Sequence, residues 1–337
     1  MRSLDGAGQP PEEALQSDRP ARSLRSPQFT RPRSAIPLGL IFCASSSSFG
    51  CKGPPPPRIE LDEIPNERIE IPSHPPALRL AVSAMTSPAA TFHAYVGVKG
   101  YLEGALGGPV TLALRRSYRE VNDLFMRGEV DVAFVCSGPY TKLASAGVAE
   151  ILVIPKIGGQ TTYQSLVVVR ESSRARSFAD LVGKSFAFTD PLSNSGHYYP
   201  LSRARELGLG PRFFSQAVFT HGHDNSIDAL RRGRVDAAAV DSLVYEFFVE
   251  REPERVRGLR VLERSPQFGI PPLVSRVGLD PVLKARTKAA LIEMPRSKLG
   301  QEVLGELRID AFVEGADREY DGVRRLLGVV GLGGLDR

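Results

Sequence analysis

Cysteine is scarce in this chain of 337 residues, with only Cys43, Cys51 and Cys136. No C-x-x-C pair and no zinc-type spacing occurs, which argues against a disulfide framework and a zinc fold. Basic runs are also missing. The excess of 43 Lys+Arg over 38 Asp+Glu is small and spread out, so the electrostatic footprint of a nucleic-acid binder is absent. Residues 1–50 contribute six arginines against four acids, leaving only a mild positive balance for the rest, compatible with a small anion. Catalytic signatures are lacking too: there is no G-x-S-x-G, no H-E-x-x-H and no GxxxxGK[ST]. The glycines of VVGLGGLDR fall at the end of the sequence, with no βαβ unit to serve a dinucleotide.

What is present begins with an apolar stretch, Ala35–Ala44 (AIPLGLIFCA), too short to span a bilayer as a stable helix. Arg31-Pro32-Arg33 precedes it and Ser-Phe49-Gly50-Cys51 follows, the order of a secretory signal. The SFGC string resembles a bacterial lipoprotein signal that would lipidate Cys51, although Phe49 is bulky where a small residue is usual. The polar flank before it, residues 1–34, is longer than such a signal needs, as a start codon assigned too far upstream would make it. Residues 1–50 thus read as a disordered leader and signal peptide, and 51–77 as a Pro-rich, extended tether. Cys136 ends an apolar strand and reads as a small buried hydrophobe.

From Leu78 the texture becomes strand, turn and helix in alternation, with helices expected at 90–106, 119–127 and, near the end, 281–293, 296–304 and 318–327. This predicts an α/β architecture with mostly parallel sheets flanked by helices. Ligands of such sheets lie beyond the carboxyl ends of the strands. One phrase occurs twice: SYREVNDLFMRGEVDVAFV at 117–135 and GHDNSIDALRRGRVDAAAV at 222–240, offset by 105 residues. One repetition at that distance predicts two similar lobes with a cleft between them, not a solenoid. Tyr118 and His223 match in the two copies, each ahead of a short helix, and both side chains can donate to an anion. Asp131 and Asp236, the acids of the repeat, read as braces of a turn and not as a catalytic pair.

The string FTDPLSNSGHYYP at 188–200 ends a strand, turns at Asp190-Pro191 and opens a helix with Ser193-Asn194-Ser195-Gly196. Free N–H groups and neutral donors there suit a tetrahedral oxyanion, or an ordinary N-cap. His221, His223 and Asp224 are valid metal ligands, but no further strong ligand accompanies them, so no metal and no cofactor is expected.

These strings, taken with TTYQSLVVVR and SPQFGIPPLVSRVGLDPVLK, resemble the phosphate/phosphite/phosphonate-binding subunit of bacterial ABC importers over about residues 78–325. The resemblance implies a two-lobed periplasmic binding protein of type 2. Lobe 1 would be 78–165 plus 267–337 and lobe 2 166–266, with crossovers near Ser165–Val169 and Arg264–Gly269. By string position the ligand would meet Tyr118, Tyr163, Ser193, Asn194, Ser195 and His223, with Ser137 also lining the site. Gly269-Ile270-Pro271-Pro272 stands where aminoalkylphosphonate binders carry an acid, which favours phosphate, phosphite or a simple alkylphosphonate. Expected partners are that small oxyanion and an ABC permease, for a monomer held in the periplasm by a lipid anchor. A sensor feeding a membrane kinase, or an enzyme on the same fold, are the alternative readings.

Overall fold

The computed structural model describes residues 78–83, 88–210 and 213–331. The leader, Cys43, Cys51 and the tether lie outside the described residues. In chain order the elements are β1 (Leu78–Ser83), α1 (Pro88–Leu106), β2 (Val110–Arg115), α2 (Tyr118–Met126), β3 (Val132–Phe134), α3 (Ser137–Ser145), β4 (Ala149–Lys156), β5 (Thr162–Tyr163) and β6 (Ser165–Arg170). Then come β7 (Ser185–Phe188), a π-helical turn (Asn194–Tyr198), α4 (Tyr199–Glu206), β8 (Gln216–Phe219), α5 (His223–Arg231), β9 (Ala237–Asp241), α6 (Ser242–Arg251) and β10 (Leu259–Arg264). The chain closes with β11 (Phe268–Gly269), β12 (Leu273–Arg276), α7 (Pro281–Glu293), α8 (Lys298–Leu307), β13 (Ala311–Val313) and α9 (Asp321–Val330).

Two sheets organise these elements. One has six strands in the order β13-β4-β12-β3-β1-β2, the other five in the order β10-β6-β9-β7-β8. Each is parallel at its heart, β2-β1-β3 in one and β8-β7-β9 in the other. The strands entering and leaving the connection between the halves, β6 and β12, pair antiparallel with both of their neighbours. Only β12, β13 and β6 run against the rest of their sheets, so direction is mostly parallel although antiparallel ladders are numerous.

The repeated phrase forms the same helix–turn–strand step in each sheet. Its acid clasps the start of the neighbouring strand in both copies. The Asp131 N–H donates to the Arg79 carbonyl (2.9 Å) and its carboxylate accepts from Arg79 N (3.0 Å). Asp236 does the same with Ser185, at 3.0 Å in each direction. The aspartates are therefore braces. Asp131 is the more buried, held by a bidentate Arg79 guanidinium (2.9 and 2.7 Å) with Arg276 at 3.5 Å.

Two segments join the sheets, and they pair. β5 and β11 form an antiparallel ribbon, Tyr163 opposite Phe268 and Thr162 opposite Gly269. Ser165–Val169, expected at the crossover, lies inside β6, and the link between sheets is 157–164. The last helix, α9, expected with lobe 1, packs Val323 and Leu326 into the same apolar cluster as Phe186, Phe188 and Tyr199 of the five-stranded half. Arg205 of α4 also donates to its Val329 carbonyl (2.6 Å). Among the described residues no helix is long and apolar enough to cross a membrane.

Candidate functional site

The site is assembled at the carboxyl ends of the strands, where open α/β sheets take their ligands. Tyr118 and His223 are the first residues of α2 and α5, the two repeat helices. A capping box fixes the start of α2, Ser117 Oγ accepting from Glu120 N (3.3 Å) while the Glu120 carboxylate reaches back to Ser117 N (3.4 Å). The loop after β7 carries Thr189, Asp190 and the Ser193–Ser195 run, and β9 ends on Asp241.

His223 is fully buried and its ring is held at Nδ1. Nδ1 accepts the backbone N–H of Asp241 (3.1 Å), with Thr189 Oγ1 at 3.0 Å. A backbone N–H can only donate, so Nδ1 is the bare nitrogen and the hydrogen sits on Nε2. Burial pushes the imidazole down to about 3, against a smaller upward pull from Asp224, so it is neutral at neutral pH. Its Nε2–H has no partner among the described residues.

The Ser193–Ser195 run divides its duties. Ser193 Oγ accepts from Gly196 N (2.9 Å), as an N-cap does. The Ser195 carbonyl accepts from Ser165 Oγ (2.6 Å), while the Ser195 hydroxyl is buried with no partner among the described residues. Asn194 donates through Nδ2 to the Tyr163 hydroxyl (3.0 Å), tying the helix start to the hinge ribbon. Gly196 is required by close approach: a Cβ there would lie 2.4 Å from Thr189 Oγ1.

From the other sheet, Tyr118 is buried against Cys136 and Leu192, its N–H donating to Asp190 Oδ2 (3.3 Å). Its hydroxyl, too, has no partner among the described residues, and burial raises it well above the usual phenol range. Gly138 at the start of α3 touches the facing loop so closely that a Cβ would meet the Leu192 carbonyl at 2.2 Å. Ser137 spends its hydroxyl hydrogen on the Gly269 carbonyl of β11 (2.7 Å).

Three residues at this site were not singled out as ligand contacts by sequence reasoning. Thr189 sits on His223, Asp190 receives Tyr118 across the two halves, and Asp241 holds the imidazole through its N–H. Only Asp241 left a visible signal, an acid closing the apolar strand AAAV. His221, read as a possible ligand with His223 and Asp224, instead adopts a left-handed backbone (φ 56°) ahead of α5. Two open grooves lie elsewhere. One of about 520 Å³ runs between Thr162, Ser242 and Arg308, and one of about 650 Å³ lies beside α9. Neither is lined by His223, Ser195 or Tyr118, so volume is a poor guide to the buried cluster of donors.

Known proteins agree with this architecture. PhnD1 from Prochlorococcus marinus, solved with methylphosphonate, is 17% identical and superposes with a TM-score of 0.70, covering 75% of this chain and 98% of that one. A binding-protein component of an ABC phosphonate transporter from Pseudomonas aeruginosa is 20% identical with a TM-score of 0.71, covering 77% of this chain and 87% of that one. At such identities the likeness speaks for the fold, a two-lobed type 2 periplasmic binding protein. A family model described as "ABC transporter, phosphonate, periplasmic substrate-binding protein" matches residues 80–320. The chain therefore belongs to the phosphonate family of ABC-transporter periplasmic substrate-binding proteins, and has the solute-binding role of that family.

Proposed function

We propose that this protein captures a phosphorus oxyanion (phosphate, phosphite or a simple alkylphosphonate) between its lobes and delivers it to an ABC permease. One observation carries the reading. Three buried donors, the Tyr118 hydroxyl, the Ser195 hydroxyl and His223 Nε2–H, come from both halves and have no partner among the described residues. Leaving such groups unmet costs about 1–3 kcal/mol each, a penalty that a bound anion removes. Asn194 adds to the set. Its Oδ1 is also unpartnered, and a half-turn of the amide lets the Tyr163 hydroxyl donate to Oδ1 while the amide hydrogens turn to the ligand. In this reading Ser193 and Ser137 support the site, one as cap and the other as a tie to the hinge ribbon. None of these groups is Lys or Arg, and His223 is neutral, so the anion is held by dipoles. The methylphosphonate bound by PhnD1 is an ion of the class proposed.

The remaining features follow the same reading. Cys51 is lipidated after export, and the monomer is tethered to the membrane by residues 51–77. The site binds and does not turn over. The lobes are 78–165 with 267–337 and 166–266, with α9 bracing one against the other. A panel of small oxyanions in a thermal melt tests this, because a ligand bound only by the folded state raises the melting temperature. Phosphorus oxyanions are expected to raise it. No rise with any of them would remove the reading.

A further inference from the structure

Asp241 is fully buried at the carboxyl end of β9. Its Oδ1 caps α6, accepting from Leu243 N (2.7 Å), while Oδ2 has no partner among the described residues. The residue touches the donor cluster directly, through its N–H on His223 Nδ1. Burial raises the Tyr118 and Tyr163 hydroxyls, and the charge of the Asp241 carboxyl adds a smaller push in the same sense. The titratable groups around it are His223 on α5, Tyr118, Tyr163, Cys136 after β3 and Glu246 on α6, the helix it caps.

Oδ2 is an acceptor in a set of donors. Asn194 Oδ1, another buried oxygen without a partner among the described residues, can be exchanged for a donor by turning the amide, but a carboxylate has no such choice. A bare carboxylate oxygen beside a bound anion repels it, unless a hydrogen lies between them. We propose that Asp241 determines specificity, by sharing one hydrogen with the bound ion so that the site favours an ion bearing P–OH over proton-free sulfate. The hydrogen comes from the P–OH of the ligand or rests on Oδ2, and no bond between heavy atoms changes. This rests on the anion-site reading above and deepens it. Burial, the largest influence, raises Asp241 to about 7, so above that pH the carboxyl does not hold a hydrogen for sulfate unaided.

Titration calorimetry of the whole protein at about pH 8, with phosphate and with sulfate, tests it. Wild type should bind phosphate more tightly by about tenfold or more, since a site built to receive a hydroxyl rejects an analogue without it. Asp241→Asn keeps the helix cap and offers an N–H to sulfate, so the gap should narrow by about tenfold or more. An unchanged gap in a variant that melts like wild type overturns the proposal, as does equal binding of both ions by wild type. If wild type binds phosphate but not selectively, only this proposal falls. If it binds no phosphorus oxyanion, the anion-site reading falls and takes this one with it. A second measurement needs no variant. Methylphosphonate binding at about pH 9, followed in buffers of different ionisation heat, should draw about one proton from solvent. No uptake overturns the proposal.

Discussion

His223 and Asp241 touch through one hydrogen bond, and burial acts on them in opposite senses. The folded-state value of His223 is depressed to about 3 from an ordinary 6.5, so between those values the unfolded chain binds more protons. That contribution to stability is present above about 6.5 and is lost as pH falls toward 3. Asp241 is raised from 3.8 to about 7, so the folded chain binds more protons over that window, and its contribution is lost as pH rises. Urea unfolding as a function of pH should therefore show a shallower acid-side fall for His223→Gln and a shallower fall on the alkaline side for Asp241→Asn. Ser195→Ala should weaken anion binding by about 1.5–3 kcal/mol, the worth of a hydrogen bond to a charge, with little effect on melting, as calorimetry with phosphate would report. At this scale the sequence was partly legible. Tyr118 and His223 stood out because they share a register. Ser195 and Ser193 could not be told apart, because both are hydroxyls at one helix start and only the backbone decides which one is spent. Asp190 was hidden because its partner, Tyr118, lies 72 residues away in sequence.

Each copy of the repeat is a helix–turn–strand step locked by an aspartate. Asp131 answers to the backbone and guanidinium of Arg79, which hold its carboxyl below the usual range despite the upward push of burial. Asp131→Asn should cost about 1.5–3 kcal/mol in urea unfolding. Because the carboxylate is favoured in the fold, its contribution is present above pH 3.8, the ordinary carboxylate value, and is lost below it. The turn string R-G-x-V-D made these steps readable, since strand start, acid and helix end are all local in sequence. The antiparallel entry of β6 and β12, and the β5–β11 ribbon, were not readable in the same way. A two-residue strand carries almost no pattern of its own, and its pairing is settled by the lobes it joins.

Across the whole molecule the two halves meet through Tyr118 N–H on Asp190, the Cys136–Leu192 contact and the bare backbone of Gly138. Gly138→Ala would put a methyl against the Leu192 carbonyl. It should weaken oxyanion binding in calorimetry more than it lowers the melting temperature, because it obstructs the approach of the lobes and leaves each core intact. The two-lobed α/β plan was evident from the repeated phrase. The course of α9 onto the five-stranded half was not, since a short amphipathic helix suits either lobe. The central claim is that neutral donors from both halves hold one phosphorus oxyanion, with His223 among them. Titration of wild type and His223→Ala with phosphate and methylphosphonate tests it most directly. Wild type should bind, and the variant should bind weaker by about 1.5–3 kcal/mol, or roughly ten- to a hundredfold, while still melting cooperatively. A folded His223→Ala protein that binds these ions as tightly as wild type would contradict it.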